Sequence, residues 1–338
     1  MIRTAIGKFS KEKFNALINV RAATLTSIRK AIVDEGYVEV STSSLVNLAG
    51  SCENPYASFT LNYYGREAHL SQSAQLQLEA IVIRLKRAVF TVNNSFRQED
   101  YEDPDTPGRR LSEFTLIEPE RPYEGLSPEE ALNKIIATEE KVMKKTIEDV
   151  LGKNARDVEL LAGDLHYLER ILTVSFNKIT YEEAIKLLNG NNYYFGSDLG
   201  TREEKEVLAY FNGVPTFITH YPAKLKFFNM KRTCGDQKAY SVDLLMPRLG
   251  ETIGGGIREE NGEKIRQYLL ESKIAQFLVQ KGLDPLEPFM EYLSLFREER
   301  APLRGGFGIG FERFVGFLLN SNDILETISY RSLQPSRG

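Results

Sequence analysis

From Lys11 to Glu35 the apolar residues Phe14, Leu17, Ile18, Leu25, Ile28 and Ile32 recur at helical spacing, which predicts an amphipathic helix closed by Gly36. A strand is expected over Tyr37 to Ser41. His69 to Ser71 reads as extended, and Leu76, Leu78, Ile81, Val82 and Leu85 set a helix over Ala74 to Leu85. Ala88 to Phe96 alternates as a strand. The polar, Asp- and Pro-rich stretch from Gln98 to Arg110 breaks the pattern, and Glu113 to Glu118 resumes it, so strand, loop and strand predict a hairpin.

Ser127, followed by Glu129 and Glu130, opens a long helix to about Val150, with more helix expected over Asn154 to Arg170. This stretch reads as a helical insertion. Ser175 to Leu188 predicts a short strand and helix, while Phe217 to Tyr221, Lys226 to Met230 and Ala239 to Met246 are strand-like. Asn261 to Lys281 predicts one amphipathic helix. A Gly-rich strand, Gly305 to Ile309, then leads into an apolar helix, Phe311 to Leu319.

Composition narrows the class. With 338 residues, of which 42% are hydrophobic and 27% charged, the chain can bury a full core and is not a disordered sequence. No apolar run approaches the roughly 20 residues of a spanning helix, and the opening MIRTAIGKFSKEKF lacks the apolar stretch of a signal peptide. A cytoplasmic location is expected. Cys52 and Cys234 form no CxxC pair and His69, His166 and His220 have no ligand spacing, so neither a disulfide framework nor structural zinc is supported. The net charge of −4 gives no overall attraction for a polyanion, although a local basic patch is compatible with it.

Three blocks carry candidate chemistry. Phe96-Arg97-Gln98-Glu99 and Arg109-Arg110-Leu111-Ser112-Glu113-Phe114 flank the predicted hairpin, where Arg97 and Phe114 can face one pocket. Guanidinium groups suit phosphate oxygens and an aromatic face suits a base, although alone the block describes a charged hairpin better than a site. Gly305 to Arg313 sets four glycines before a helix whose first turn holds Arg313, within reach of a phosphate. In Ser241 to Arg258, Asp243 and Glu251 at adjacent strand ends can hold a magnesium ion on phosphates, and Arg258 can meet a substrate carboxylate. An ordinary acidic hairpin accounts for this last block equally well.

In order and wording these blocks resemble class II aminoacyl-tRNA synthetases, over most of the chain outside 127–170. Phe96 to Glu120 is similar to that family's motif 2 and Gly305 to Leu319 to its motif 3. The resemblance implies an α+β fold, an antiparallel sheet flanked by helices, as one catalytic domain over 1–338. It implies that Arg97 holds the α-phosphate of ATP and the reacting carboxylate, Phe114 stacks on adenine and Arg313 grips the γ-phosphate. Glu99, Arg109, Arg110 and Glu251 complete the implied ATP site.

The segments Ser71 to Leu76, His220-Tyr221-Pro222, Phe227-Phe228 and Asp243 to Arg258 are similar to aspartyl and especially asparaginyl synthetases. This implies that Ser73 and Gln75 contact the amino acid, Glu118 its ammonium group and Arg258 its distal carboxyl or amide, with Glu53 in a closing loop. Leu78 departs from the lysine usual in aspartyl enzymes, and Ser43 from the motif 1 proline of a dimerising helix and strand. A homodimer is still expected.

The first helix begins at about Lys11, where a full-length aspartyl or asparaginyl enzyme would first present a β-barrel of about 100 residues. That starting point leads to an expectation of ammonia, not tRNA, as the acceptor: an AMP-forming asparagine synthetase using aspartate, ATP and magnesium, like a group of archaeal stand-alone enzymes. Arg258 would then meet the α-carboxylate, and Glu99, Glu118 or Glu120 would act as base. The alternatives are a truncated synthetase that charges tRNA or another acceptor, and a non-catalytic amino-acid-binding regulator.

Overall fold

The computed structural model describes residues 9–48, 54–99, 108–188, 193–233, 235 and 237–330. Ser10 opens helix α1 (Lys11–Asp34), its hydroxyl accepting the Lys13 amide at 3.3 Å, and Gly36 follows its end at φ +87°, a left-handed turn that suits glycine. The chain continues through β1 (Val38–Glu39), β2 (Leu45–Val46), β3 (Thr60–Tyr63), β4 (Arg66–Leu70), α2 (Gln75–Leu85), β5 (Val89–Phe96) and β6 (Glu113–Pro122). Next come α3 (Pro128–Ala162), α4 (His166–Thr173), β7 (Asn177–Thr180), α5 (Tyr181–Leu187), α6 (Thr201–Tyr210) and β8 (Thr216–Thr219). The order closes with β9 (Ser241–Met246), β10 (Gly250–Arg258), α7 (Gly262–Glu271), α8 (Lys273–Gln280), α9 (Met290–Glu298), β11 (Arg304–Gly310) and α10 (Phe311–Leu318).

Eight strands form one sheet in the order β1-β5-β6-β11-β10-β9-β8-β7, antiparallel except for its outer pairs β1/β5 and β7/β8, and β2-β4-β3 form a smaller sheet. This is an α+β fold with a mixed sheet flanked by helices. Alternation along the strands sorts the two faces. Val242, Leu244, Ile253 and Ile309 join Leu17, Ile28 and Ile32 of α1 and Ile135, Ile147 and Val150 of α3 in the largest core. On the other face, α5 and α6 pack on Ile218 and Leu245, while α7, α8 and α9 pack around Phe228 and Leu76. The site lies between those two groups.

The segment 127–170 is helical, opened by a Ser127–Glu130 capping box and kinked at Asn154, and it packs into the same core as the sheet. Other expectations change here. Asn261 to Lys281 is two helices, because Ser272 takes an extended conformation and its hydroxyl caps the Ala275 amide at 3.3 Å. Lys226 to Met230 is not a strand: Met230 makes an isolated bridge to Arg258, and Phe228 turns into the helical cluster. The sequence of α6, TREEKEVLAY, is so charged that its apolar face, Val207 and Leu208, is too narrow to read as a helix.

Both carboxylate oxygens of Glu139 in α3 are buried without a hydrogen-bond partner among the described residues. Burial, and secondarily the charge of Asp243, pushes this carboxyl well above its ordinary range. The folded chain therefore holds a proton that the unfolded chain releases above about pH 4.3, so this group's contribution to stability falls as pH rises from there towards the folded pKa. Glu139→Gln should remove that loss. Chemical denaturation at a series of pH values above 5 is expected to show the variant gaining on the parent by up to about 1.4 kcal/mol per pH unit; a pH-independent difference would contradict it.

Candidate active site

The β5–β6 hairpin brings Arg97 and Phe114 together, with the guanidinium 5.4 Å from the ring centre. Phe114, however, packs towards Leu111, Leu249 and Ile324 and is not among the residues that line the cleft. Alternation on β6 then puts Leu116, Glu118 and Glu120 on the same open face as Phe114. Glu118 accepts hydrogen bonds from the Ser73 hydroxyl and, at 2.9 Å, from the Ala74 amide at the start of α2. The Ser73 oxygen also accepts the Gln75 amide at 3.1 Å. Ser73, Gln75, Leu78 and Glu118 thus line one wall.

The floor is ionic and buried. Arg258 donates to Glu120 at 3.0–3.3 Å, and Arg304 pairs with Glu79, all four side chains being almost completely buried. Burial pushes Glu120 up to about 7, with Arg258 opposing the shift. Gly306 makes this possible: a Cβ there would strike the Glu120 carboxylate and the Pro119 carbonyl. Two carboxylates and two guanidiniums leave the floor balanced in charge.

At the other end, Asp243 on β9 receives both oxygens' contacts from Lys226 Nζ, at 2.5 and 2.7 Å. Burial still pushes Asp243 up to about 7, against the pull of Lys226. A register shift between Glu251 and Ile253 turns Glu251 to the cleft while Ile253 stays in the core, so Glu251 and Asp243 converge over Gly254. Arg313 donates to the Glu251 carbonyl. Arg109 donates to Glu204 of α6 at 2.8 Å and to the Leu249 carbonyl at 3.0 Å. Burial, and then the charge of Glu251, raises the pKa of Glu204.

Of the residues expected from sequence, Arg97, Ser73, Gln75, Glu118, Arg258, Asp243 and Glu251 line one cleft of about 1450 Å³. Arg109 and Arg313 reach its end through Glu204 and Glu251. Glu99 and Arg110 pair with each other at 3.2 Å and are not among the lining residues. Glu53 lies outside the described residues. Glu204, Lys226 and Glu120's pairing with Arg258 were not anticipated as site features. The charge run Arg202-Glu203-Glu204-Lys205 carried no sign of which carboxylate turns inward.

The family model for tRNA synthetases class II (D, K and N) matches residues 2–334. The chain belongs to this family. Relatives of this synthetase include the asparagine–tRNA ligase of Ureaplasma urealyticum serovar 10, 30% identical over 336 residues that cover 94% of the chain and 69% of the relative. Another is that of Streptococcus pyogenes serotype M1, 33% identical over 326 residues, covering 93% and 67%. The asparaginyl-tRNA synthetase from Pyrococcus horikoshii complexed with asparaginyl-adenylate superposes with a TM-score of 0.82 at 31% identity, covering 96% of this chain and 70% of that one.

These relatives overturn the expectation of an ammonia-dependent asparagine synthetase acting on aspartate. The geometry supplies a physical reason. That chemistry needed Arg258 to receive an α-carboxylate, yet Arg258 already pairs with the buried Glu120 through Nε and Nη2, so a second carboxylate there would add an unbalanced buried negative group. What stands is a class II ligase-type enzyme that works with ATP. Asp243 and Glu251 suit magnesium, which commonly takes one or two protein carboxylates and completes its shell with phosphates and water. Among the described residues no group of three or more His, Cys, Asp or Glu forms a dedicated metal cage, and no helix is long and apolar enough to cross a membrane.

Proposed function

We propose that this synthetase activates asparagine with ATP and passes the asparaginyl group to tRNA. The α-carboxylate of asparagine attacks the α-phosphorus, the bond to the bridging oxygen breaks, and pyrophosphate leaves. A ribose hydroxyl at the tRNA end then attacks the carbonyl carbon, and AMP leaves. The first step uses a carboxylate that is already ionised and so requires no protein base.

The observation that carries the choice of amino acid is the Arg258–Glu120 pair beside Leu78. A substrate carboxylate at that end would bring a third buried negative group to two balanced pairs, whereas a neutral amide adds hydrogen-bonding atoms and no charge. Glu118, fixed by Ser73 and Ala74, takes the substrate ammonium group. Arg97 holds the α-phosphate and the attacking oxygen, and Arg313 and Arg109 meet the outer phosphates, exchanging the Glu251 carbonyl and Glu204 for phosphate oxygens. Asp243 and Glu251 would hold magnesium, which when bound would supply charge neutralisation on the phosphates.

Pyrophosphate exchange into ATP tests the activation step. Asparagine is expected to drive it with a kcat/KM at least about a hundredfold above that of aspartate. Equal use of the two amino acids would reject the pocket assignment. Labelled asparagine should then become acid-precipitable on tRNA; exchange without charging would reject tRNA as the acceptor.

A further inference from the structure

A second cavity, of about 360 Å³, lies apart from the cleft, between α4, α6, the β9–β10 turn and the end of α10. Its volume falls in the range of small-molecule sites. Ile171, Leu208, Pro247 and Phe317 give it an apolar floor, and Arg170, Lys205 and Arg248 stand around it. No acidic side chain lines it. None of the three cations has an ion-pair partner among the described residues, in a protein whose other basic groups are widely paired.

Two of the cations are aimed by the backbone. Arg248 occupies the turn at φ +85°, a conformation an L side chain adopts under constraint, and its Nε donates to Asn320 Oδ1 at 2.6 Å. Arg170 donates to the Asn212 carbonyl at 2.7 Å. Lys205 sits one residue from Glu204, so α6 shows the ATP-end cleft a carboxylate and this cavity an ammonium group. Three unneutralised cations over an apolar floor match one ligand chemistry.

We propose that this cavity is a binding site for a small organic anion, a phosphate ester or carboxylate carried on a flat apolar body. The anionic group meets Arg248, Lys205 and Arg170, and the apolar body lies on Pro247, Leu208 and Phe317.

The chain has no tryptophan, so Asn322→Trp at the cavity rim creates a single fluorescent reporter. Phenyl phosphate is expected to change its emission saturably, with half-saturation at or below about 1 mM. Lys205→Ala combined with Arg248→Ala should weaken this at least about tenfold, and phenol should give no saturable change. The same ligand titrated calorimetrically into the protein without the reporter guards against interference by the new ring, and there Ala209→Phe, at an exposed lining position, should block binding. Benzoate in place of phenyl phosphate tells carboxylate from phosphate preference within the class. An affinity unchanged by the double substitution, no binding in the calorimeter, or inorganic phosphate binding as well as phenyl phosphate would each overturn the assignment.

Discussion

Arg304→Met is expected to destabilise the chain by about 3–5 kcal/mol, because it leaves Glu79 charged, buried and without its counter-ion. Arg304 and Glu79 are both fully buried. The guanidinium donates to Glu79 through Nε at 3.0 Å and also reaches the Glu259 carbonyl at 3.2 Å, while Tyr292 donates its hydroxyl to Glu79 at 2.9 Å. Urea denaturation of the parent and variant measures the loss. The double variant Glu79→Leu/Arg304→Met should lose much less than the two single losses added together, since it removes both charges. A single loss below about 1 kcal/mol would mean that water reaches this pair.

The second large effect concerns catalysis. Arg313→Ala should lower asparagine-dependent pyrophosphate exchange by at least about a hundredfold, the usual scale for removing one fixed contact to developing charge in a dry site. Arg313 stands in the first turn of α10, where Gly310 ends the strand, and it donates to the Glu251 carbonyl. Its substitution leaves the Arg258–Glu120 floor untouched, so thermal stability and asparagine selectivity should persist while turnover fails. Arg313→Lys keeps the charge but not the planar fork and should recover only part of the rate. Full exchange in Arg313→Ala would remove this residue from the phosphate site.

Much of this architecture was legible because it is local. The 3.6-residue stripe of α1, the alternation of β5 and β6, and the switch from β11 into α10 all follow from side-chain period within one segment. Where the chain departs from its local pattern, a single polar residue or a distant partner decides. Ser272 breaks an apolar stripe that looked continuous, and the irregularity beside Thr252 decides which way Glu251 faces. Lys226 found Asp243 across a turn, and Glu204 found Arg109 across 95 positions of sequence. Periodicity carries no information about such pairings. The ammonia expectation failed for another reason: it rested on where the first helix starts, not on any side chain in the cleft.

The strand order has a consequence for synthesis. β6 is the third of the eight strands in the large sheet, and its second neighbour is β11, made about 180 residues later. At ordinary elongation rates that interval lasts on the order of ten to forty seconds. Throughout it, β6 presents an open edge, and Glu79 lacks Arg304, the arginine that will neutralise it. The two halves of the sheet can be assembled beforehand only as separate pieces, and the strand that joins them also delivers Arg304 to Glu79. Assembly of the sheet and closure of the ionic floor are therefore one late event on the nascent chain.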